Sequence, residues 1–184
     1  MGRPPNPKAK TDLLNRAAGY ILERGLSDLS LRPLASAIGV SPRLLLYHFG
    51  SRENLIVEVL SQGRQRQQEI FAKLMAGVAN PSDGLRALWQ YFTSPEAAPL
   101  IRLTFEVEAL AVQGKTEYQE FARATLRGWT ALISAQMPGT SPTLAALVVS
   151  VFSGLLLDFL VNADRARVDA AFEQLLVMLE GGAT

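Results

Sequence analysis

The chain has no cysteine and a single histidine, His48. The first absence excludes disulfides and thiolate metal sites and suits a reducing compartment. The second leaves no imidazole pair for a metal ion and a single candidate base for a Ser-His-Asp arrangement. Also missing are a phosphate-cradling Gly-rich loop, a Gly-x-Ser-x-Gly elbow and a His-Glu-x-x-His pair. Glu106 and Glu108 stand two residues apart and do not share a helix face. The expectation is a protein that is not an enzyme, with no cofactor and no metal. Charge is missing altogether between residues 128 and 157. Pro138 and Pro142 break that stretch, and its longest uninterrupted part, Leu144 to Leu157, falls short of the ~20 residues that span a bilayer. Asp158 interrupts any extension, and the N-terminus lacks a charged-then-apolar signal pattern. These features predict a cytoplasmic protein with no membrane partner.

What remains is helical. No segment alternates apolar and polar residues as a half-buried strand does, so the expected class is all-α. Residues 30–60 carry the clearest punctuation. Ser30 can cap a helix that runs to Ile38, with Pro33 tolerated in its first turn. Gly39 sits where a left-handed residue stops that helix. Ser41 caps the next, Pro42 takes its first position, and Gly50 ends it. A helix from Ser41 to Phe49 is too short to stand alone and must lean on its neighbours. Two short helices around a tight turn form a helix-turn-helix.

At about 100° per residue, Leu45, Leu46 and Phe49 share one side of the second helix, expected to pack on Leu34, Ala35 and Ile38. Arg43, Leu44, Tyr47 and His48 share the other. A guanidinium, a phenol, an imidazole and an aliphatic side chain can bond base edges or phosphates, or touch a thymine methyl, in a DNA major groove. His48 can instead bond a backbone group. Charge supports the DNA reading. Residues 1–66 hold ten Lys and Arg against five acids, a net of +5; the remainder holds eight against twelve, a net of −4. A near-neutral chain thus concentrates positive charge where phosphates would lie. The arm from Arg3 to Lys10 is expected to be disordered in the free protein, either following a DNA backbone or minor groove or remaining a solvated tail.

Residues 10–60 resemble the DNA-binding domain of the tetracycline-repressor (TetR) family of bacterial regulators. The resemblance rests on Ala17-Ala18, on Ser30-Leu31-Arg32-Pro33-Leu34-Ala35, and on Gly39-Val40-Ser41 at the turn. It continues through Leu45, His48 and Phe49 and the stretch Gly50-Ser51-Arg52-Glu53-Asn54-Leu55. The chain departs from the family at Leu46, where Tyr is usual; here Tyr47 follows it. The resemblance implies that Ser41, Arg43, Leu44, Tyr47 and His48 meet the groove and its flanking phosphates. It implies that Arg32, Ser51 and Arg52 clamp phosphates, which helix N-termini also favour. Arg52 in a first helical turn is unfavourable for its own helix, as though it served a partner.

The expected division is an N-terminal arm and DNA-binding domain over 1–54 and a helical regulatory and dimerisation domain over 55–184. A fourth helix from Ser51 to about Val78 carries an apolar stripe, a polar run from Gln62 to Glu69 and a second stripe, as expected of a helix crossing solvent between two cores. Helices over 143–163 and 168–180 follow, the first apolar on every side. Either it is the central helix of a monomer or a second copy covers it. The resemblance implies the latter, a homodimer that binds an inverted-repeat operator in double-stranded DNA. Candidate lining for a small-molecule effector is Trp89, Phe92, Arg102, Phe105, Glu106, Trp129, Phe152 and Asp158: aromatic walls with a few polar groups. Asp158, a carboxylate among Leu155 to Phe159, requires a pocket or an intersubunit ion pair with Arg165 or Arg127. The function expected is a sequence-specific transcriptional regulator, a repressor released by its effector. The rival is a helical protein-binding module with a basic face and no DNA sequence preference.

Overall fold

The computed structural model describes residues 7–27, 29–137 and 139–181. Among these the chain is all-α, with nine helices and no strand: α1 Pro7–Arg24, α2 Leu31–Ala37, α3 Pro42–Phe49, α4 Arg52–Ala76, α5 Pro81–Phe92, α6 Ala98–Val112, α7 Thr116–Gln136, α8 Pro142–Asn162 and α9 Arg165–Gly181. Helix ends follow the local chemistry. Asn80 caps α5 by accepting from the Ser82 N–H at 3.0 Å, and Ser141 caps α8 by accepting from the Leu144 N–H at 3.1 Å; both helices then open on Pro. Ser30 has the extended backbone of a cap, yet its side chain makes no capping bond. The arm expected to be disordered is helical from Pro7 onward, so Lys8 and Lys10 belong to α1. Arg3 to Asn6 lie outside the described residues.

The chain divides into two compact units that do not follow chain order. The first comprises Met1–Gln65 with Pro99–Ala122, and the second Arg66–Ala98 with Arg123–Thr184. In the first, Leu13, Ala17 and Ile21 of α1, Leu34 and Ala35 of α2, and Leu45 and Phe49 of α3 share a core with Leu55, Ile56, Val59 and Leu60 of α4. Leu103 and Val107 of α6 and Tyr118 and Phe121 of α7 complete it. Apolar side chains at i, i+3 and i+4 give each helix the stripe that this burial requires. The α4–α6 contact is close because position 63 is glycine: a Cβ there would stand 2.6 Å from Leu100 Cδ2.

The second unit is built around rings. Trp89 stacks on Phe172 at 4.9 Å between centroids, and Phe152 meets both edge-on. Phe92 contacts Phe152 and Trp129, and Trp129 reaches Phe71 of α4. Edge-to-face and offset pairs of this kind add about 0.5–1.5 kcal/mol each beyond the area they bury. Around the rim Trp89 Nε1 donates to Asp169 at 2.6 Å, and Arg86 pairs with Glu173 at 3.0 Å. The polar run of α4 does not simply cross solvent. Gln67 is buried, and its amide nitrogen finds no partner among the described residues.

Candidate nucleic-acid interface

The turn between α2 and α3 takes its shape from backbone bonds. Gly39, at φ +67°, lets the Val40 N–H reach back to the Ala35 carbonyl at 2.9 Å. Ser41 then accepts from the Leu44 N–H at 3.2 Å and starts α3. At the far end Gly50, at φ +77°, donates its N–H to the Leu46 carbonyl at 2.8 Å. Ser51 accepts from the Asn54 N–H at 3.0 Å and caps α4. The α3 axis is therefore held at both ends, and its underside is anchored by Leu45 and Phe49, 1% and 4% exposed.

The outward face differs from expectation in one residue. Leu46, expected beneath the helix with Leu45 and Phe49, is 44% exposed. The reason is angular. Eight residues turn only a narrow arc toward α2 and α4, and Leu45 and Phe49, four apart, fill it. Leu46 is left on the outer flank beside Arg43. Leu44 and Tyr47 are 36% and 53% exposed, and Arg43 and Ser41 are exposed too. His48 is half-buried; its ring meets Tyr47 edge-on at 5.2 Å, and its Nδ1 is buried without a bond among the described residues. Arg32 stands exposed in the first turn of α2.

Arg52 is placed otherwise than a phosphate clamp would be. Its Nη1 donates to the Leu29 carbonyl at 2.6 Å, and its Nε lies 3.3 Å from Glu53 Oε1. Tyr118 of α7 is buried against it. Burial pushes the Tyr118 phenol up from its ordinary pKa, and the neighbouring guanidinium opposes that rise. Beside the helix-turn-helix, Lys10 of α1 pairs with Glu58 of α4 at 2.7 Å and lies over the Phe49 ring.

The expected effector lining falls apart into separate settings. Trp89, Phe92, Trp129 and Phe152 come together in the ring cluster of the second unit. Glu106, in the first unit, accepts from the Leu26 N–H at 2.8 Å and so braces the chain just after α1. Arg102 is exposed and Phe105 half-buried. Asp158 pairs within its own chain with Arg167, and Asn162 donates to the same carboxylate at 2.6 Å. These partners hold its pKa below the usual carboxylate range. Arg167 lies on α9, nine residues away, and only the α8–α9 hairpin brings it back.

Residues 13–59 match the family described as bacterial regulatory proteins, tetR family. The HTH-type transcriptional repressor KstR2 of Mycobacterium tuberculosis is 31% identical over 59% of this chain. The match spans 56% of that protein, little more than half its length. A transcriptional regulator from Rhodococcus sp. has the same fold with a TM-score of 0.76, at 20% identity over 95% of this chain and 97% of the other. The multidrug binding protein EbrR, solved with imidazole, gives a TM-score of 0.73 at 24% identity, over 93% of this chain and 89% of that one.

Proposed function

We propose that this chain, whose residues 13–59 match the family described as bacterial regulatory proteins, tetR family, is a sequence-specific, DNA-binding transcriptional repressor. The observation that carries the reading is α3 itself: a helix capped at both ends, anchored by Leu45 and Phe49, with Arg43, Leu44 and Tyr47 turned outward. Arg43 would bond a base edge, guanine O6 and N7 being the best match to its fork, and Ser41, Tyr47, His48 and Arg32 would meet bases and flanking phosphates. Ser51 and Arg52 support the surface by capping and bracing α4. In this reading DNA recognition falls to residues 1–54 and the response to 55–184, and α4 and α7 each contribute to both compact units.

The protein acts as a homodimer on an inverted-repeat operator. Supporting this, α8 buries Ala145, Val148, Val149, Phe152 and Leu156 within its own unit but leaves Leu147, Ser150, Gly154, Leu157 and Val161 outside. Those exposed positions alternate by three and four, the spacing of a helix-packing seam. On α9, Val177 and Met178 are exposed apolar side chains as well. Among the described residues α8 is the one helix long and apolar enough to cross a membrane. Its partition into a packed face and a seam favours cover by a second copy, in the cytoplasm. A small apolar or amphipathic effector taken up by the second unit would release the operator by preferring one of two conformers, a reading supported by the similar fold of EbrR, a multidrug binding protein solved with imidazole.

The test is a gel shift with the promoter DNA beside the gene. Arg43→Ala and Tyr47→Ala should abolish specific binding while circular dichroism stays unchanged. A protein-binding module with a basic face would retain every polyanion equally and ignore both substitutions.

A further inference from the structure

The exposed arc of α3 holds a chemistry unlike that of a hydrogen-bonding reader. At about 100° per residue, Leu46, Arg43, Tyr47 and Leu44 follow one another in that order across about 160° of surface. Two leucines therefore bracket a guanidinium and a phenol. Both are exposed, at 44% and 36%, on a helix whose burial needs Leu45 and Phe49 already meet. Residues 42–49 include no Asn or Gln to bond adenine in two places and no Asp or Glu to accept from cytosine N4. Leu46 has no donor for a phosphate. The one feature of the major-groove edge that an aliphatic side chain recognises is the thymine 5-methyl group.

We propose that Leu46 and Leu44 read thymine methyls on the two sides of the base pair that Arg43 contacts. The half-site is then defined by the placement of methyl groups about a central guanine contact, and Leu46 is a specificity determinant. This rests on the DNA-binding reading and narrows it to a class of base edge. Electrostatics brings the basic N-terminal region to the duplex without regard to sequence. Discrimination then comes from whether two apolar side chains find methyl groups or find the polar edges of cytosine and guanine, where they would strip water from donors and acceptors without replacing the bonds.

The experiment has two stages, both on the full chain. Selection from random duplexes first yields the preferred site. Each thymine of one half-site is then replaced by deoxyuridine, which removes the methyl alone and keeps every hydrogen-bonding group. Affinities are measured for the wild-type, Leu44→Ala and Leu46→Ala proteins; both leucines are exposed, so both variants should keep the wild-type melting temperature. The expected result is two deoxyuridine positions that each weaken wild-type binding about fourfold, the worth of one buried methyl-sized group. One penalty disappears in Leu44→Ala and the other in Leu46→Ala. A selected half-site without thymine beside the Arg43 contact overturns the proposal and leaves the regulator intact. So do deoxyuridine penalties that persist undiminished in both variants, since the methyls would then act through DNA shape or another residue. Selection that enriches no sequence removes the DNA-reading premise itself, and the proposal with it.

Discussion

Replacing Arg52 by methionine keeps most of the aliphatic stem and deletes the guanidinium. Two accounts of this residue then make opposite forecasts. As a brace, Arg52 loses a charged donor at 2.6 Å from the Leu29 carbonyl and leaves Tyr118 without its polar neighbour. A hydrogen bond to a charged group contributes about 1.5–3 kcal/mol. The side chain is 35% exposed, so screening favours the lower part of that range, about 1.5–2 kcal/mol. For a chain of this size, at about 2–4 °C per kcal/mol, the melting temperature should fall by about 3–8 °C. As a phosphate clamp, Arg52 would instead release about one counterion, and the slope of log K against log salt would drop by about 0.9 per contact. We expect the thermal loss with an unchanged slope. Calorimetry and binding titrations between 50 and 300 mM salt (a range set by the ~10 Å screening length at 0.1 M) measure both. A melting temperature held within a degree, with the slope reduced, would refute the bracing argument outright. Arg43→Met serves as the control with the reverse pattern expected: stability kept, binding lost.

Other outcomes follow from the same structure. Burial raises the Glu108 carboxyl above its ordinary pKa, so the folded state holds that proton more tightly than the unfolded chain and stability declines as pH rises through the interval between the two values. Glu108→Gln should therefore raise the melting temperature at pH 7, and the gain should vanish on acidification below the usual carboxylate range. Gly63→Ala sets an overpacking penalty of about 1–3 kcal/mol against a helix-propensity gain of about 1 kcal/mol; net destabilisation is expected because both Leu100 methyl groups lie within 2.7 Å of the new carbon. A stabilised variant would mean that Leu100 swings away freely. Leu157→Glu changes an exposed side chain of α8, so the monomer should fold normally while sedimentation shows the dimer lost. A persistent dimer would place the seam elsewhere.

Much of the proposed DNA-reading surface was legible because its signals are local. Ser41, Pro42 and Gly50 bound α3, and Gly39 turns the chain before it, each through bonds spanning only a few residues. The all-α class was equally readable from apolar periodicity. The wheel that correctly sent Leu45 and Phe49 inward also sent Leu46 inward, because counting angles cannot tell how wide an arc the neighbours cover.

What the sequence determined by itself is thus the all-helical class, most of the helix ends, the concentration of positive charge near the N-terminus and the outward side of α3 apart from Leu46. Tertiary structure alone decided which helices keep company. Residues 99–122 join the core of α1 to α4 although residues 66–98 intervene, and Glu106 finds the Leu26 amide eighty residues away. It also drew the Arg52 guanidinium inward to Leu29 and gave Asp158 to Arg167. Capping and periodicity are decided within a turn or two of helix. The partner of a long charged side chain is decided by which backbone happens to arrive beside it, and no short window of sequence contains that information.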